Sequence, residues 1–217
     1  MDILKAVEFG VPQIRERFIM MGIRRDILNE ESLDMPEGSF NRYVTVDEAI
    51  CDLANVEPYK NVTDEAVVTN GQKNAYLEKM HSQAGVVYNH INTETRETAL
   101  ERYVALREGE NLNSLGDEYK STYAQPESTQ SSIYLKLDRN KPSNTVTNVR
   151  KSMWVSPYAP RAISIREAAR LQSFNDDFIF VGTKDSQYQQ IGNAVPPLLA
   201  KYIGEHLYRS LEEAKKL

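Results

Sequence analysis

The stretch GVPQIRERFIMMG, residues 10–22, decides how this chain is read. Gly10, Val11 and Pro12 carry turn chemistry. Phe18, Ile19, Met20 and Met21 form an apolar run, and with Ile23 they predict a strand over 18–23 covered on both faces. Between the turn and the run lie Gln13, Ile14, Arg15, Glu16 and Arg17. Extended backbone alternates its side chains with a period of two, which sends Gln13, Arg15 and Arg17 to one side. A glutamine and two arginines in that pattern suit the rim of a polar pocket. They also suit an exposed strand edge kept soluble by charge. The local pattern leaves both readings open.

The 217 residues are 41% hydrophobic and 26% charged, which is the balance of a globular protein with one large domain or two small ones. No apolar run is long enough to span a bilayer. The start, MDILKAVEFG, has neither the basic residues nor the apolar stretch of a secretory signal. The single cysteine, Cys51, allows no internal disulfide, so a cytoplasmic, reducing compartment is expected. The net charge is −5, yet residues 134–170 hold eight basic side chains against Asp138 and Glu167, a local +6. Such a window is either an electrostatic footprint for phosphate or a solvated loop that happens to be basic.

Residues 3–7 read as a strand, and residues 24–38 as a charged, turn-rich connection. TVDEAICDLANV (45–56) reads as a short helix opened by a Thr45/Glu48 capping box. Residues 56–95 show no clear period. Residues 97–106 read as a helix with Leu100, Tyr103, Val104 and Leu106 on its apolar side, and 109–130 as loop. Residues 134–137 alternate weakly, as a strand would, and 141–160 hold short strands and turns. SIREAARLQSF (164–174) carries a second capping box, Ser164 with Glu167, and turns Ala168, Leu171 and Phe174 toward a core. IGNAVPP (191–197) reads as a sharp turn that places Pro196 and Pro197 in the first turn of a helix. Leu199, Ile203, Leu207 and Leu211 then repeat every four residues. Both ends look like parts of an α/β layer with a looser, mixed segment inserted between them.

Three blocks in this order, FGVPQIRERF (9–18), SIREAARLQSF (164–174) and QIGNAVPP (190–197), resemble the last three conserved blocks of the cytosine carbon-5 DNA methyltransferases. TVDEAICDL (45–53) and DRNKPSNTVT (138–147) resemble the segments that open and close that family's target-recognition domain. Two positions depart from the family pattern: Asn175 stands where a proline commonly follows Phe174, and Ser156-Pro157 where a histidine-proline pair is frequent.

The resemblance implies a partial Rossmann-like methyltransferase sheet built from residues 1–33 and 161–217, with a mixed α+β target-recognition domain over 34–160. It implies S-adenosylmethionine as cofactor and double-stranded DNA as substrate, in a restriction-modification setting. In this chemistry a thiolate attacks carbon 6 of a flipped cytosine. A guanidinium at oxygen 2 then stabilises the charge that builds on the ring. That role would fall on Arg17. Arg15 would contact the DNA backbone or help shape the pocket, and Gln13 would hydrogen-bond beside the flipped nucleotide. Gly192, Asn193, Ala194 and Val195 would lie near the methionine end of the cofactor. Their turn runs into a helix N-terminus, where free N–H groups favour an anion. Arg139, Lys141, Thr145, Arg150 and Lys151 are the expected DNA contacts. Arg166, Glu167 and Arg170 would organise the base of the recognition domain.

The family's Pro-Cys-Gln nucleophile loop is missing from this sequence. Cys51 follows Ile50 on a short apolar-faced helix and reads as a core or partly buried thiol. The Glu-Asn-Val block and the glycine-rich cofactor loop are missing too, and the ten glycines include no Gly-x-Gly pair. His81, His90 and His206 have no metal-ligand spacing. The expectation is therefore a C-terminal portion or subunit, inactive alone, that needs an N-terminal methyltransferase half. The alternative is a non-catalytic DNA-binding protein derived from a recognition domain.

Overall fold

The structure, a computed structural model, describes residues 1–24, 26, 33–38, 42–82, 84–125 and 129–214. In the charged connection read over 24–38, residues 25 and 27–32 fall outside the described residues. The chain opens with an antiparallel ribbon. β1 (Asp2–Lys5) pairs with β2 (Glu16–Ile19), with Leu4 opposite Arg17. A 3-10 turn, Ala6–Phe9, ends at Gly10, whose φ of 76° lets its N–H reach the carbonyls of Ala6 and Val7. The chain then runs extended beside residues 143–145. Ile14 N–H donates to the Ser143 carbonyl, Ser143 N–H to the Pro12 carbonyl, and the Thr145 hydroxyl to the Ile14 carbonyl.

The expected period of two is present: Gln13 and Arg15 are buried while Ile14 and Glu16 are exposed. The covered strand over 18–23 is not. β2 stops at Ile19, and Phe18 and Met20 are 61% and 70% exposed. Among the described residues β2 has β1 as its only ladder partner, and the side of the ribbon that carries Ile3 and Phe18 is exposed. The other sheet is also a two-stranded antiparallel ribbon, β3 (Val67–Val68) with β4 (Val86–Val87). These lie in the stretch without a clear period, together with the one-turn α2 (Leu77–Met80). The class is thus mixed α/β.

α1 (Val46–Ile50) begins at the capping box read from the sequence, with Thr45 and Glu48 bonded reciprocally. α3 (Glu97–Ala105) buries Tyr103, and Leu106 just beyond it, against Leu112 and Tyr134. Leu100 and Val104 lie one turn apart on its other side and are exposed, so the apolar side is narrower than expected. Two 3-10 turns, Leu112–Ser114 and Asp117–Tyr119, interrupt the expected loop. The expected strand over 134–137 reduces to a single parallel bridge, Lys136 with Val155: Val155 N–H donates to the Leu135 carbonyl and Leu137 N–H to the Val155 carbonyl, while Lys136 N–H turns the other way to the Glu110 carbonyl. α4 (Val149–Ser152) is one turn, capped by the Asn148 side chain.

All seven residues of α5 (Ile165–Leu171) are buried, three of them charged, and its Ser164/Glu167 capping box is formed. Buried charges must be paired or fully hydrogen-bonded. Glu167 takes both Arg161 Nη atoms at 2.8 Å. Arg170 forks onto Asp176 at 2.9 and 2.8 Å and also bonds Asp52 beyond α1. Arg166 donates to the carbonyls of Tyr88, Asn175 and Phe178. These bonds fasten α5 to three other segments. The main core closes around it with Ile50, Met80, Trp154, Tyr188 and Ile191.

α6 (Lys184–Asn193) starts at Thr183, whose hydroxyl accepts Ser186 N–H. The sharp turn read over 191–197 is therefore mostly a helix end. No proline intervenes before 196, and α6 runs on through Gly192 and Asn193. Gly192 lies against the backbone of Thr147, where a Cβ would sit 2.6 Å from its carbonyl carbon and oxygen. α7 (Pro197–Ala214) buries Leu199 with Leu4, Phe9 and Val11. Ile203, Leu207 and Leu211 on the same stripe are only half-buried. None of the described helices is long and apolar enough to cross a membrane.

Two predictions follow from this packing. Burial alone would raise the Glu167 carboxyl, but the Arg161 guanidinium outweighs it and holds the pKa near about 2, below the ordinary 4.5. A depressed folded pKa contributes stability above the unfolded value, and that stability is lost as pH falls from about 4.5 toward about 2. Glu167→Gln should flatten this part of the pH–stability curve. At pH 7 it should cost about 3–5 kcal/mol, because Arg161 is left unpaired; urea denaturation across pH checks both. Gly192→Ala should destabilise by about 1–3 kcal/mol through the clash with Thr147. A neutral or stabilising result in the same assay, as helix propensity alone would give, contradicts that close contact.

Candidate functional site

The three sequence blocks meet at one point. Gln13 is fully buried, and its side-chain N–H2 donates to the Leu171 carbonyl and to Gln172 Oε1. Its Oε1 accepts Val146 N–H at 2.7 Å. Arg15, 2% exposed, donates to the carbonyls of Val146 at 2.7 Å, Gly192 at 3.0 Å and Ala194 at 3.1 Å. Gln172 closes the ring by donating to the carbonyls of Ile191 and Ala194 at 3.0 and 2.9 Å. Five segments thus share one hydrogen-bonded hub: residues 13–15, the end of α5, residue 146, the end of α6 and the 194–196 turn. Burial pulls the Arg15 pKa down to about 10, and the positive charge of Arg17 adds to the shift. Arg15 stays charged at neutral pH, and its guanidinium is spent on backbone carbonyls.

Arg17 differs. It continues the same face of the extended segment and is half-buried, and its Nη1 donates to the adjacent Glu16 carbonyl at 2.7 Å. No described hydrogen bond or ion pair joins it to residues 192–195. The hub holds Gln13, Arg15 and the Ile191, Gly192 and Ala194 carbonyls together, and Arg17 stands beside it with most of its donors unused.

At the bend, Asn193 is exposed, and its Oδ1 accepts from Gln189 at 2.7 Å, which leaves its N–H2 for a ligand. Val195 is 46% exposed and Ala194 is half-buried. The N-terminus of α7 offers an anion less than the sequence suggested. Pro196 and Pro197 have no N–H, and Leu198 N–H is taken by the Ser173 hydroxyl at 3.1 Å.

The expected DNA contacts are spread over the surface, and most already have partners. Arg139 pairs with Glu108, Lys141 with Asp138 and Arg150 with Asp185. The Thr145 hydroxyl is spent on the Ile14 carbonyl. Lys151 is exposed and lines a cleft of about 510 Å³ between α3 and α4. One wall of this cleft holds Arg102, which the sequence did not single out. Its guanidinium donates to the Tyr119 carbonyl, the Tyr134 hydroxyl and the Thr122 hydroxyl, and lies over the rings of Tyr123 and Tyr134. Only the tyrosines around Arg102 could have flagged it, and they come from positions 17 to 32 residues further along the chain.

Cys51 is a half-buried free thiol at the end of α1. Burial first, then Asp47 and Asp52, push its thiol up to about 11. His90 is buried between the Ser164 hydroxyl and the Val56 carbonyl, and burial lowers its pKa. His81 bonds Asp52, and His206 the Asp34 carbonyl. Among the described residues no group of three or more His, Cys, Asp or Glu could hold a metal ion.

Comparison with known proteins points the same way as the three blocks. Residues 1–209 match the pattern of the C-5 cytosine-specific DNA methylases. The chain is 32% identical to the type II methyltransferase M.DdeI of Desulfomicrobium norvegicum, over 94% of this chain and 53% of that protein. It is 32% identical to the type II methyltransferase M1.HphI of Haemophilus parahaemolyticus, over 94% of this chain and 46% of that one. The chain therefore spans about half the length of these curated relatives. In structure it resembles a candidate DNA modification methyltransferase encoded within an E. coli prophage, with a TM-score of 0.76 and 26% identity, over 97% of this chain and 60% of that one. Since one family's pattern runs from the ribbon through the hub and into the last helix, this chain belongs to the C-5 cytosine-specific DNA methylases.

Proposed function

We propose that this chain is the recognition and C-terminal part of a DNA (cytosine-5-)-methyltransferase, acting with an N-terminal half that brings the cysteine nucleophile. Residues 1–33 and 161–217 then complete the Rossmann-like catalytic part, and residues 34–160 form the recognition domain on the floor that α5 provides. S-adenosylmethionine supplies the methyl group transferred to carbon 5 of a flipped cytosine. Arg17 faces oxygen 2 of that base and stabilises the charge that builds as the incoming thiolate adds to carbon 6. Arg15 and Gln13 act through the hub, holding Arg17 and the 192–195 bend in fixed relation.

The observation that carries this reading is the division of labour between two neighbouring arginines. Arg15 is locked onto three carbonyls, and Arg17 is left half-open beside it. The donors at the bend fit one wall of a cofactor site, with the free amide of Asn193 and the exposed Val195. The sequence has no Gly-x-Gly loop, so the remaining walls fall to the N-terminal half. The ribbon supports the same view, because Ile3, Phe18 and Met20 lie on its surface with large exposed areas. An apolar sheet face of that kind suits association.

The test is reconstitution. The chain mixed with an N-terminal half carrying the Pro-Cys and glycine-rich blocks should transfer methyl groups from S-adenosylmethionine to duplex DNA, and neither part should do so alone. If both parts are folded, bind DNA and still transfer nothing, the reading fails in favour of a non-catalytic DNA-binding protein. In the reconstituted enzyme Arg17→Ala should lower kcat about 10²–10³-fold with DNA affinity nearly unchanged. Arg15→Ala should instead lower the stability of the chain by about 2 kcal/mol or more, since the Val146 and Gly192 carbonyls lose their donor at about 1 kcal/mol or more each, while the Ala194 carbonyl keeps Gln172.

A further inference from the structure

We infer that the α3–α4 cleft is where this protein reads a base flanking its target cytosine, with Arg96 as the base-reading side chain and Lys151 as a phosphate contact; the inference rests on the methyltransferase reading above. The cleft brings together two basic side chains that the structure has not consumed. Arg139, Lys141 and Arg150 are each neutralised by a carboxylate. Arg96 and Lys151 are exposed, line the same cleft, and have no side-chain hydrogen bond or ion pair among the described residues. Arg96 stands at the start of α3 and makes no capping bond there, so the helix does not need its side chain. Thr93 and Thr95 line the cleft as well, and the Thr93 hydroxyl oxygen is shielded from solvent with no partner.

Size and position narrow the ligand. A volume of about 510 Å³ admits a nucleotide-sized group and not a whole duplex. A duplex would lie across the mouth with a base edge and a stretch of backbone inside. The α4 wall continues from Val146, the residue clamped by Gln13 and Arg15. The five steps along the chain from Val146 to Lys151 reach at most about 18 Å, which is about five base steps along a strand. The cleft is therefore within a few base pairs of the pocket rim. Its walls are held firm, by Arg102 locked among tyrosines on one side and by the Asn148 cap of α4 on the other. An arginine with a free fork can pair with both acceptors of a guanine edge, worth about 1–3 kcal/mol of discrimination against other bases. A lysine on a flexible stem suits phosphate as a point charge.

The experiment uses the reconstituted enzyme, S-adenosylmethionine and a library of duplexes randomised around one cytosine, with bisulfite sequencing to show which flanks are methylated. The unmodified enzyme should fix at least one flanking position. Arg96→Ala should relax the preference at one fixed position about 10- to 100-fold, while the best site is still methylated and the circular dichroism of the chain is unchanged. Lys151→Gln should leave every base preference intact and reduce the slope of log affinity against log salt by about 1. Arg150→Gln, already neutralised by Asp185, should leave that slope alone. Unchanged preference at every position in Arg96→Ala would overturn the inference while the methyltransferase reading stands. An unmodified enzyme that methylates cytosine in any flank overturns it too. Absence of methyl transfer by the unmodified enzyme removes both.

Discussion

A guanidinium buried without a carboxylate sets the geometry of this protein. Arg15 is almost inaccessible, and it is held by carbonyls from three segments that lie 131 to 179 residues away along the chain. Those carbonyls belong to the end of α6, the turn after it and the extended strand-like run at 146. None of them has a ladder neighbour to serve it, and a buried carbonyl without a donor is costly. One planar group with several donors in fixed directions can serve them together, where a lysine could not. The cost shows in the depressed pKa of Arg15, which reports both burial and the nearby charge of Arg17. The return is positional. Once Arg15 is fixed, the next residue on that face, Arg17, is set beside the hub, close enough for its charge to act on Arg15.

The same logic governs α5. A helix with no exposed residue would ordinarily be apolar all round. This one carries Arg166, Glu167 and Arg170 and uses each as a tie rather than as a surface charge. Arg170 reaches Asp52 and Asp176, Arg166 reaches three carbonyls, and Glu167 binds Arg161 and the Ser164 N–H. Removing a partner from such a network leaves a charge in the core, so it specifies one arrangement of the segments it joins. Asn89 extends the network: it adopts φ 58° and bonds Phe180 and Gln187, while Ile165 and Arg166 N–H groups donate to the carbonyls of Ile91 and Asn89.

What was legible in the sequence was local. Both capping boxes and the alternation of residues 13–16 hold as read, because each depends on neighbours within four positions. The strand over 18–23 and the strand over 134–137 did not form as read. A strand's identity depends on what lies beside it, and Phe18 has one ribbon partner while Lys136 has a single bridge. The turn at 191–197 was misplaced because glycine and asparagine are turn residues by propensity, whereas Gly192 serves a close approach of α6 to Thr147. The hub could be suspected from three blocks in order, and the resemblance already gave Arg15 a pocket-shaping part, but the carbonyls that hold Arg15 could not be read from the sequence. Both occupy the same face of the same segment, and only the carbonyls gathered from distant positions separate the structural arginine from the available one.

Charge gives the clearest case of sequence and structure parting. The basic window of residues 134–170 looks like a phosphate-binding surface when residues are counted. In the fold, Arg161 and Arg170 are buried in ion pairs and Arg166 is buried on carbonyls. Lys136 donates to the carbonyls of Tyr103 and Leu106, and Arg139, Lys141 and Arg150 each face a carboxylate. Of the eight basic side chains only Lys151 has neither a hydrogen bond nor an ion pair among the described residues. Density of charge along the chain therefore overstates the field that an approaching polyanion meets, since Coulomb attraction at long range follows the net local charge and salt screens what remains. A basic side chain with no structural partner is the rarer and more informative feature, because its donors are still available when DNA arrives.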